Sequence, residues 1–239
     1  MHKEKSLKEI SKMSAIDRLN AARKKLSNED NRGVVPTLLN HMRVHENSRW
    51  LNYQPHLADQ VPKSHAAHAF HSLQISNLHY EFIRICTFWD PIDLDSNSIP
   101  TIVALADDPG VSQRVYDDHF AHYANDRELA KEWGSKARRR LRDGIRGAQE
   151  LETSDILRSA RNFRDKLAHQ LEQTREEKKG LVALPKYGDE RKLLGKTITA
   201  VNRLYLSLNG VGFAWDSAKN MHRRNAKSFW KGVTIEVLR

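Results

Sequence analysis

Apolar residues recur every three to four positions over long stretches of this chain, and no stretch alternates convincingly between apolar and polar residues as a strand does. This periodicity predicts an all-α protein. Prolines, glycines and polar runs separate the predicted helices. These helices span residues 14–26, 35–45, 63–88, 98–106, 110–151, 154–179 and 189–222. Long helices joined by short loops are typical of an up-and-down helical bundle, and we expect about four helices in its core.

The bundle is expected to form one domain over residues 1–239, because a chain of this length with 39% hydrophobic residues can bury a substantial core. Within it, residues 1–60 are predicted to be an N-terminal helical extension. Residues 61–239 are predicted to hold the bundle core and a basic C-terminal tail. Ser98 is a predicted N-cap, and Trp89-Asp90-Pro91 is predicted to end the helix before it.

The segment Arg161–His169 lies on one predicted helix whose two sides differ in character. Its apolar positions lie within about 80° of one another on a helical wheel and form the side that should be buried. They are Ile156, Ala160, Phe163, Leu167 and Leu171. His169 lies about 160° to 200° from them, and Arg161, Ala168, Asp165 and Glu172 share its outward side. This pattern predicts one face for folding and one for chemistry or pairing.

Arg164 and His169, five residues apart, suit the cleavage of a phosphodiester. Imidazole can transfer protons near neutral pH, and a permanently charged guanidinium can stabilise a pentavalent phosphorane. A second pair with the same spacing, Arg114 and His119, shows how readily this pattern arises by chance. For that pair we favour a solvated helix face.

Charge indicates the kind of partner but does not identify it. The formal net charge is +10 and the pI is near 9.7, so nucleic acid, an acidic protein and a membrane surface are all compatible. No apolar run approaches the roughly 18 residues that cross a bilayer, and the first residues lack the apolar segment of a secretory signal. We therefore expect a cytoplasmic protein without a membrane partner. The single cysteine, Cys86, excludes an internal disulfide and is predicted to fill the core.

Basic residues cluster twice along the chain. The first cluster covers most of a helix circumference and is either a solvated surface or a phosphate-binding one. It comprises Lys136, Arg138, Arg139, Arg140, Arg142 and Arg146. The second either stacks bases and holds phosphates or docks the tail onto the bundle. It comprises Lys219, His222, Arg223, Arg224, Lys227 and Lys231, interleaved with Trp215, Phe229 and Trp230.

Four histidines on one predicted helix, His65, His68, His71 and His79, raise the question of a metal site. Neither a cysteine nor a closely placed carboxylate completes a zinc set, so polar or interface roles are favoured. We expect no metal site and no cofactor.

Residues 164–169, RDKLAH, resemble the motif of the HEPN superfamily, whose all-helical ribonucleases carry an arginine, an adjacent polar residue and a histidine at this spacing. Upstream, Trp89-Asp90-Pro91 is followed by Ser98-Ile99-Pro100. That arrangement looks like the HEPN branch associated with abortive phage infection of type U. The resemblance covers roughly residues 60–210 and implies a HEPN-like four-helix core.

The resemblance implies a metal-independent endoribonuclease that acts as a toxin or an anti-phage effector. A homodimer would bring two motif helices together in one composite site, with His169 as base or acid and Arg164 stabilising the phosphorane. Asp165 would orient one of these residues or shape the site. RNA contacts are expected from Arg161, Lys166 and four residues of the first basic cluster. Those four are Arg138, Arg139, Arg140 and Arg142.

Two alternatives remain open from the sequence. In the first, Arg164 and His169 only hold a dimer together in a non-catalytic RNA-binding or protein-interaction module, such as an antitoxin or scaffold. Some toxins of the wider superfamily are silenced by modification of a tyrosine just after the motif. Here Gln170 and Leu171 follow His169, which argues against modification at that position but leaves a bound antitoxin or regulatory protein as a partner.

Overall fold

The computed structural model describes residues 2–27, 32–63, 65–123 and 125–237. Within these ranges the chain forms α-helices and a single 3₁₀ turn, Glu177–Lys179, and no strand, which confirms the all-α prediction. The helices are α1 His2–Lys12, α2 Ala15–Ser27, α3 Val34–Tyr53, α4 Pro55–Ala58, α5 His65–Thr87, α6 Ile99–Ala106, α7 Pro109–His122, α8 Arg127–Glu152, α9 Asp155–His169, α10 Asp189–Asn209 and α11 Trp215–Lys231.

Several predicted boundaries agree with the structure. Helix α2 begins after Ser14, whose hydroxyl accepts a hydrogen bond from the Asp17 amide at 3.2 Å. Helix α5 ends just before Trp89-Asp90-Pro91. Ser98 is the N-cap of α6, because its side chain accepts from the Thr101 amide. Capping chemistry that is local in sequence therefore located these ends correctly.

Four predicted helices differ from those observed. The helix predicted over residues 35–45 continues to Tyr53. The stretch 110–151 is divided into α7 and α8, and Asp126 caps α8 by accepting from two backbone amides. The stretch 189–222 is divided at Gly210, whose left-handed backbone (φ +75°) ends α10. The helix predicted to reach residue 179 ends at His169, since Gln170 also adopts the left-handed conformation.

The helices surround one apolar core. Helix α8 packs against α7 and α10, α9 packs against α5, and α11 covers α3. Leu38 and Leu19 from the first sixty residues are fully buried in the same core as Leu141 and Leu204. The N-terminal helices are thus integral to the packing. Among the described residues, no helix combines the length and apolar composition needed to cross a bilayer.

Candidate active site

Helix α9 carries the candidate motif, and its buried face differs from the predicted one. Leu157 and Ala160 are fully buried, and two polar residues, Asn162 and Asp165, are largely buried. In contrast, Leu167 is 36% exposed because the last turn of α9 extends beyond the core. The predicted buried side thus agrees with the structure in the first half of α9 and is wrong near the motif.

Arg164 is fixed by two carboxylates of its own chain. Its Nε donates to Oδ1 of Asp165 at 2.9 Å, its Nη2 lies 2.8 Å from the same oxygen in an ion pair, and its Nη1 donates to Oδ1 of Asp90 at 2.7 Å. Burial of the guanidinium lowers its pKa, but the hydrogen bond to Asp165 and the charges of both carboxylates outweigh burial and raise that pKa. The arginine is therefore permanently charged and held in one orientation.

Arg161 is anchored to the same loop as Arg164. Its Nη2 donates to the carbonyl oxygen of Trp89, and its Nη1 donates to the carbonyl oxygen of Glu152 at 3.4 Å. Trp89 itself is fully buried, with its indole N–H bonded to Thr197. The prediction that Arg161 and Asp165 face outward is therefore wrong: Arg161 is bonded to the α5–α6 loop and to the end of α8, and Asp165 is buried beside Arg164 of its own helix.

Lys166 holds the chain that follows α9. We call residues 172–183 the return segment, because they fold back along the helix. Lys166 forms an ion pair with Glu177 at 2.8 Å, and this hydrogen bond is the main cause of the lowered pKa of Glu177. Farther back, Ser159 donates to the carbonyl oxygen of Ala183. The return segment thus covers the side of α9 that bears Ser159, Asn162 and Lys166.

His169 is the last residue of α9 and is exposed. Its ring has no hydrogen-bond or ion-pair partner among the described residues. On an α-helix, residues five apart differ by about 140° in direction and about 7.5 Å along the axis. Arg164 and His169 of one chain therefore leave the helix in different directions.

Exposed leucines lie on the segments next to His169. Leu171 is 41% exposed, Leu184 is 69% exposed and Leu181 is fully exposed. Tyr187 is 65% exposed on the same connection to α10. Apolar side chains concentrated on one connection are typical of a surface that another chain covers.

The predicted RNA-binding arginines of α8 fall into two groups. Arg138 donates to Gln113 at 2.6 Å and lies over the Tyr116 ring, while Arg140 lies over the Trp133 ring. Arg139 and Arg142 are exposed and have no partner among the described residues. Arg138 lies about 20 Å along α8 from the end that leads into α9.

The remaining candidates have structural surroundings of their own. His119 contacts the carbonyl oxygen of Ser207 at 3.1 Å. The His79 ring packs edge-on against Phe163, and burial lowers its pKa. No group of three or more His, Cys, Asp or Glu side chains is placed to hold a metal ion in the described part of the chain. Cys86 is fully buried, as predicted, and burial raises its thiol pKa to about 12.

The C-terminal aromatics are mostly engaged in packing. Trp215 is 7% exposed and its indole N–H donates to Asn202, while that of Trp230 donates to Asn47 of α3. Phe229 remains 63% exposed beside basic residues of α11. Docking of the tail accordingly accounts for the two tryptophans, and Phe229 is the one of the three aromatics left open to solvent.

Comparison with known proteins gives one match. The model of a HEPN family with the description AbiU2 matches residues 33–229, which include α3 to α10 and nearly all of α11. No curated protein and no solved structure matches this chain.

Proposed function

Because this chain belongs to the HEPN family AbiU2, we propose that it is a metal-independent endoribonuclease of abortive infection that cleaves RNA at a site shared by two subunits. The observation that carries the proposal is the contrast between the two motif residues. Arg164 is fixed by its own subunit, whereas His169 is exposed and without a partner at the end of α9. A proton-transfer group needs this accessibility.

Arg164 retains the capacity to contact a phosphate despite its two carboxylate partners. A guanidinium has five N–H donors, and the three contacts of Arg164 with Asp90 and Asp165 leave about two of them for another acceptor. Asp90 and Asp165 fix the plane of the guanidinium, so its free donors point in a defined direction. Preorganised donors of this kind stabilise charge that develops in a transition state.

The proposed reaction uses the RNA's own 2′-hydroxyl. A base removes its proton, the 2′ oxygen forms a bond to the adjacent phosphorus, and the bond from phosphorus to the 5′ oxygen of the next nucleotide breaks. An acid protonates that leaving oxygen, which yields a cyclic phosphate and a free 5′-hydroxyl. Base and acid must act together, and a two-fold dimer supplies two His169 side chains for these two roles.

Cleavage of labelled RNA by purified wild-type protein and the His169→Ala variant tests the proposal. The assay contains a chelator, and His119→Ala serves as the matched control, because His119 ends the other Arg–His pair and contacts Ser207. We expect cleavage by wild type and by the control, and a loss of at least about a hundredfold for His169→Ala. Equal cleavage by wild type and His169→Ala would exclude His169 from the mechanism.

A second candidate function is supported by the buried position of Asp165. Asp165 and Asp90 together neutralise Arg164, which is the arrangement that a purely structural motif would have. Under this reading the protein is a non-catalytic RNA-binding or interaction module. Tight, salt-sensitive RNA binding without cleavage by the wild type would favour it.

A further inference from the structure

A groove runs along the surface between α8 and α10, with a volume of about 820 Å³. Leu151 of α8 and Ala200 of α10 form part of its floor. Ser154, the N-cap of the motif helix α9, lies at one end of the groove. Nothing in the proposed cleavage chemistry uses this space.

Two glycines keep the groove open. A Cβ built on Gly195 meets no atom within 4 Å, and one built on Gly147 meets only the Arg203 guanidinium, at 3.5 Å. Gly144, about one turn before Gly147, differs because its Cβ would lie 3.2 Å from Leu204 of α10. A glycine within a helix reduces stability, and at position 144 the close packing of α10 explains why a glycine is present. Close packing does not explain the glycines at positions 147 and 195. The open space itself is therefore the feature that these two glycines preserve.

Basic side chains of α10 line one wall of the groove. Lys192, Lys196 and Arg203 follow one another at intervals of four and seven residues, which places them on one stripe of the helix. Lys196 and Arg203 have no carboxylate partner among the described residues, and Lys192 pairs only with the neighbouring Asp189 at 3.1 Å. Repulsion between these cations is relieved when an anion lies in the groove.

The opposite wall is nearly free of charge. Glu150 is the one acidic residue lining the groove, and it already lies 3.9 Å from Arg146. The ligand that fits is therefore charged along one edge and flat and less polar along the other. Single-stranded RNA has this form, with phosphates on one edge and sugars and bases on the other. An acidic helix has no flat apolar edge that would require two open glycines.

We propose that the α8–α10 groove binds single-stranded RNA, with Lys192, Lys196 and Arg203 contacting phosphates and the glycine floor receiving sugars or bases. The proposal rests on the proposed function in taking RNA as the ligand. The groove ends at Ser154, and α9 extends about 22 Å from there to His169. The groove would thus retain RNA that reaches the site at the far end of the same helix.

Filling the groove is the sharpest test. In the His169→Ala background, where the proposed reaction cannot proceed, binding of a fluorescent oligouridine of about 20 nucleotides is measured for Gly195→Trp and Gly195→Ala. A Cβ at Gly195 meets no atom within 4 Å, so alanine fits there, and tryptophan is large enough to fill space in the groove that Gly195 lines. We expect at least tenfold weaker binding for Gly195→Trp and unchanged binding for Gly195→Ala. Equal affinity of the two variants would overturn the proposal.

A charge variant checks the phosphate contacts independently of shape. The double variant Lys196→Gln with Arg203→Gln should reduce the slope of log affinity against log salt by about 1.4, since each phosphate contact to a single strand contributes about 0.7. Lys5→Gln with Lys8→Gln on α1 changes the net charge equally and should leave the slope unchanged. A similar slope change in both double variants would show that only net charge matters and would contradict the groove.

Failure of this inference is distinguishable from failure of the proposed ribonuclease. If the wild-type protein cleaves no RNA but Gly195→Trp weakens RNA binding, the groove inference stands and the ribonuclease proposal fails. If the protein cleaves RNA and the groove variants bind RNA as well as the wild type does, the ribonuclease proposal stands and the groove inference fails. Binding of RNA by neither wild type nor variants would also overturn the groove.

Discussion

Asp165 links the motif to the interior of its own chain. Its side chain is 11% exposed, accepts a hydrogen bond from Nε of Arg164 and forms an ion pair with Nη2, and Arg164 also reaches Asp90 on the α5–α6 loop. Asp90 lies 74 residues earlier in the chain. The arginine of the motif therefore helps to fix the α9 helix on that loop, whatever it contributes to chemistry.

Replacing Asp165 by Asn tests this structural role. The change keeps the shape but removes the charge that compensates a largely buried guanidinium, so we expect a loss of about 2 kcal/mol in the free energy of unfolding. Urea denaturation measures it. The control is Asp155→Asn, an exposed residue in the first turn of α9, which should change stability by about 0.5 kcal/mol or less. A loss no larger than that of the control would show that the Arg164–Asp165 pair contributes little to the fold.

His41 gives the protein a predictable sensitivity to acid. Burial, aided by the charges of His45 and Arg84, lowers its pKa from an ordinary 6.5 to about 3 in the folded protein. Between these two values the unfolded chain binds a proton that the folded chain excludes. Stability from this residue is therefore complete above pH 6.5 and falls as the pH decreases towards 3.

From this shift we expect wild type to lose about 1.4 kcal/mol through His41 alone when the pH falls from about 7.5 to about 5.5. Urea denaturation at both values, compared with His41→Leu, isolates the contribution. On acidification, the unfolding free energy of His41→Leu should fall by about 1.4 kcal/mol less than that of the wild type. His68→Ala, an exposed histidine on α5, should behave as wild type does. An identical pH dependence in wild type and His41→Leu would contradict the buried, uncharged state of His41.

At the scale of elements, the return segment is held on α9 by a small polar network. Thr174 is fully buried, and its hydroxyl donates to Oδ1 of Asn162 and accepts from the Glu177 amide at 3.2 Å. Glu177 in turn accepts from the Thr174 amide at 3.1 Å, which completes a reciprocal capping pair. The network positions the chain next to the last turn of α9, where His169 lies.

Thr174→Val keeps the size of this side chain and removes both of its hydrogen bonds. Because Asn162 is then left buried without its partner, we expect a loss of about 2 kcal/mol in stability and faster hydrogen exchange at the Glu177 amide. Thr153→Val is the control, since its hydroxyl is exposed and bonds only within α8. Unchanged exchange at Glu177 would show that the return segment is held by other contacts.

Helices and their caps were predictable because both depend on residues close in sequence. The end of α9 was not, since residues 170–179 are rich in helix formers such as Leu171 and Glu172, and the break comes from long-range bonds of the return segment. The contact of Arg164 with Asp90, 74 residues earlier in the chain, was missed for the same reason, and so was the burial of Asp165. The groove lies between α8 and α10, and only the folded chain shows that Gly147 and Gly195 line the same groove.

At the scale of the whole molecule, the net charge of +10 is distributed over several surfaces. Arg139 and Arg142 are exposed on α8, and Arg224, Lys227 and Lys231 surround a shallow depression on α11. These surfaces suit general attraction of RNA, which depends on salt and not on sequence, whereas the groove adds shape to charge.

The composite site makes a prediction about mixtures of subunits. If cleavage needs one His169 as base and the other as acid, a dimer of one wild-type and one His169→Ala subunit is inactive. After equal amounts of the two proteins have been unfolded and refolded together, about a quarter of the dimers are wholly wild type, so activity per total protein should fall to about a quarter. Independent sites would retain half of the activity, and a mixture with His119→Ala should keep full activity.

The dependence of cleavage activity on the wild-type fraction, measured at several ratios, is quadratic for a shared site and linear for separate sites. A linear dependence would contradict the shared site even if His169 itself proves essential, because each subunit would then supply both proton-transfer groups alone.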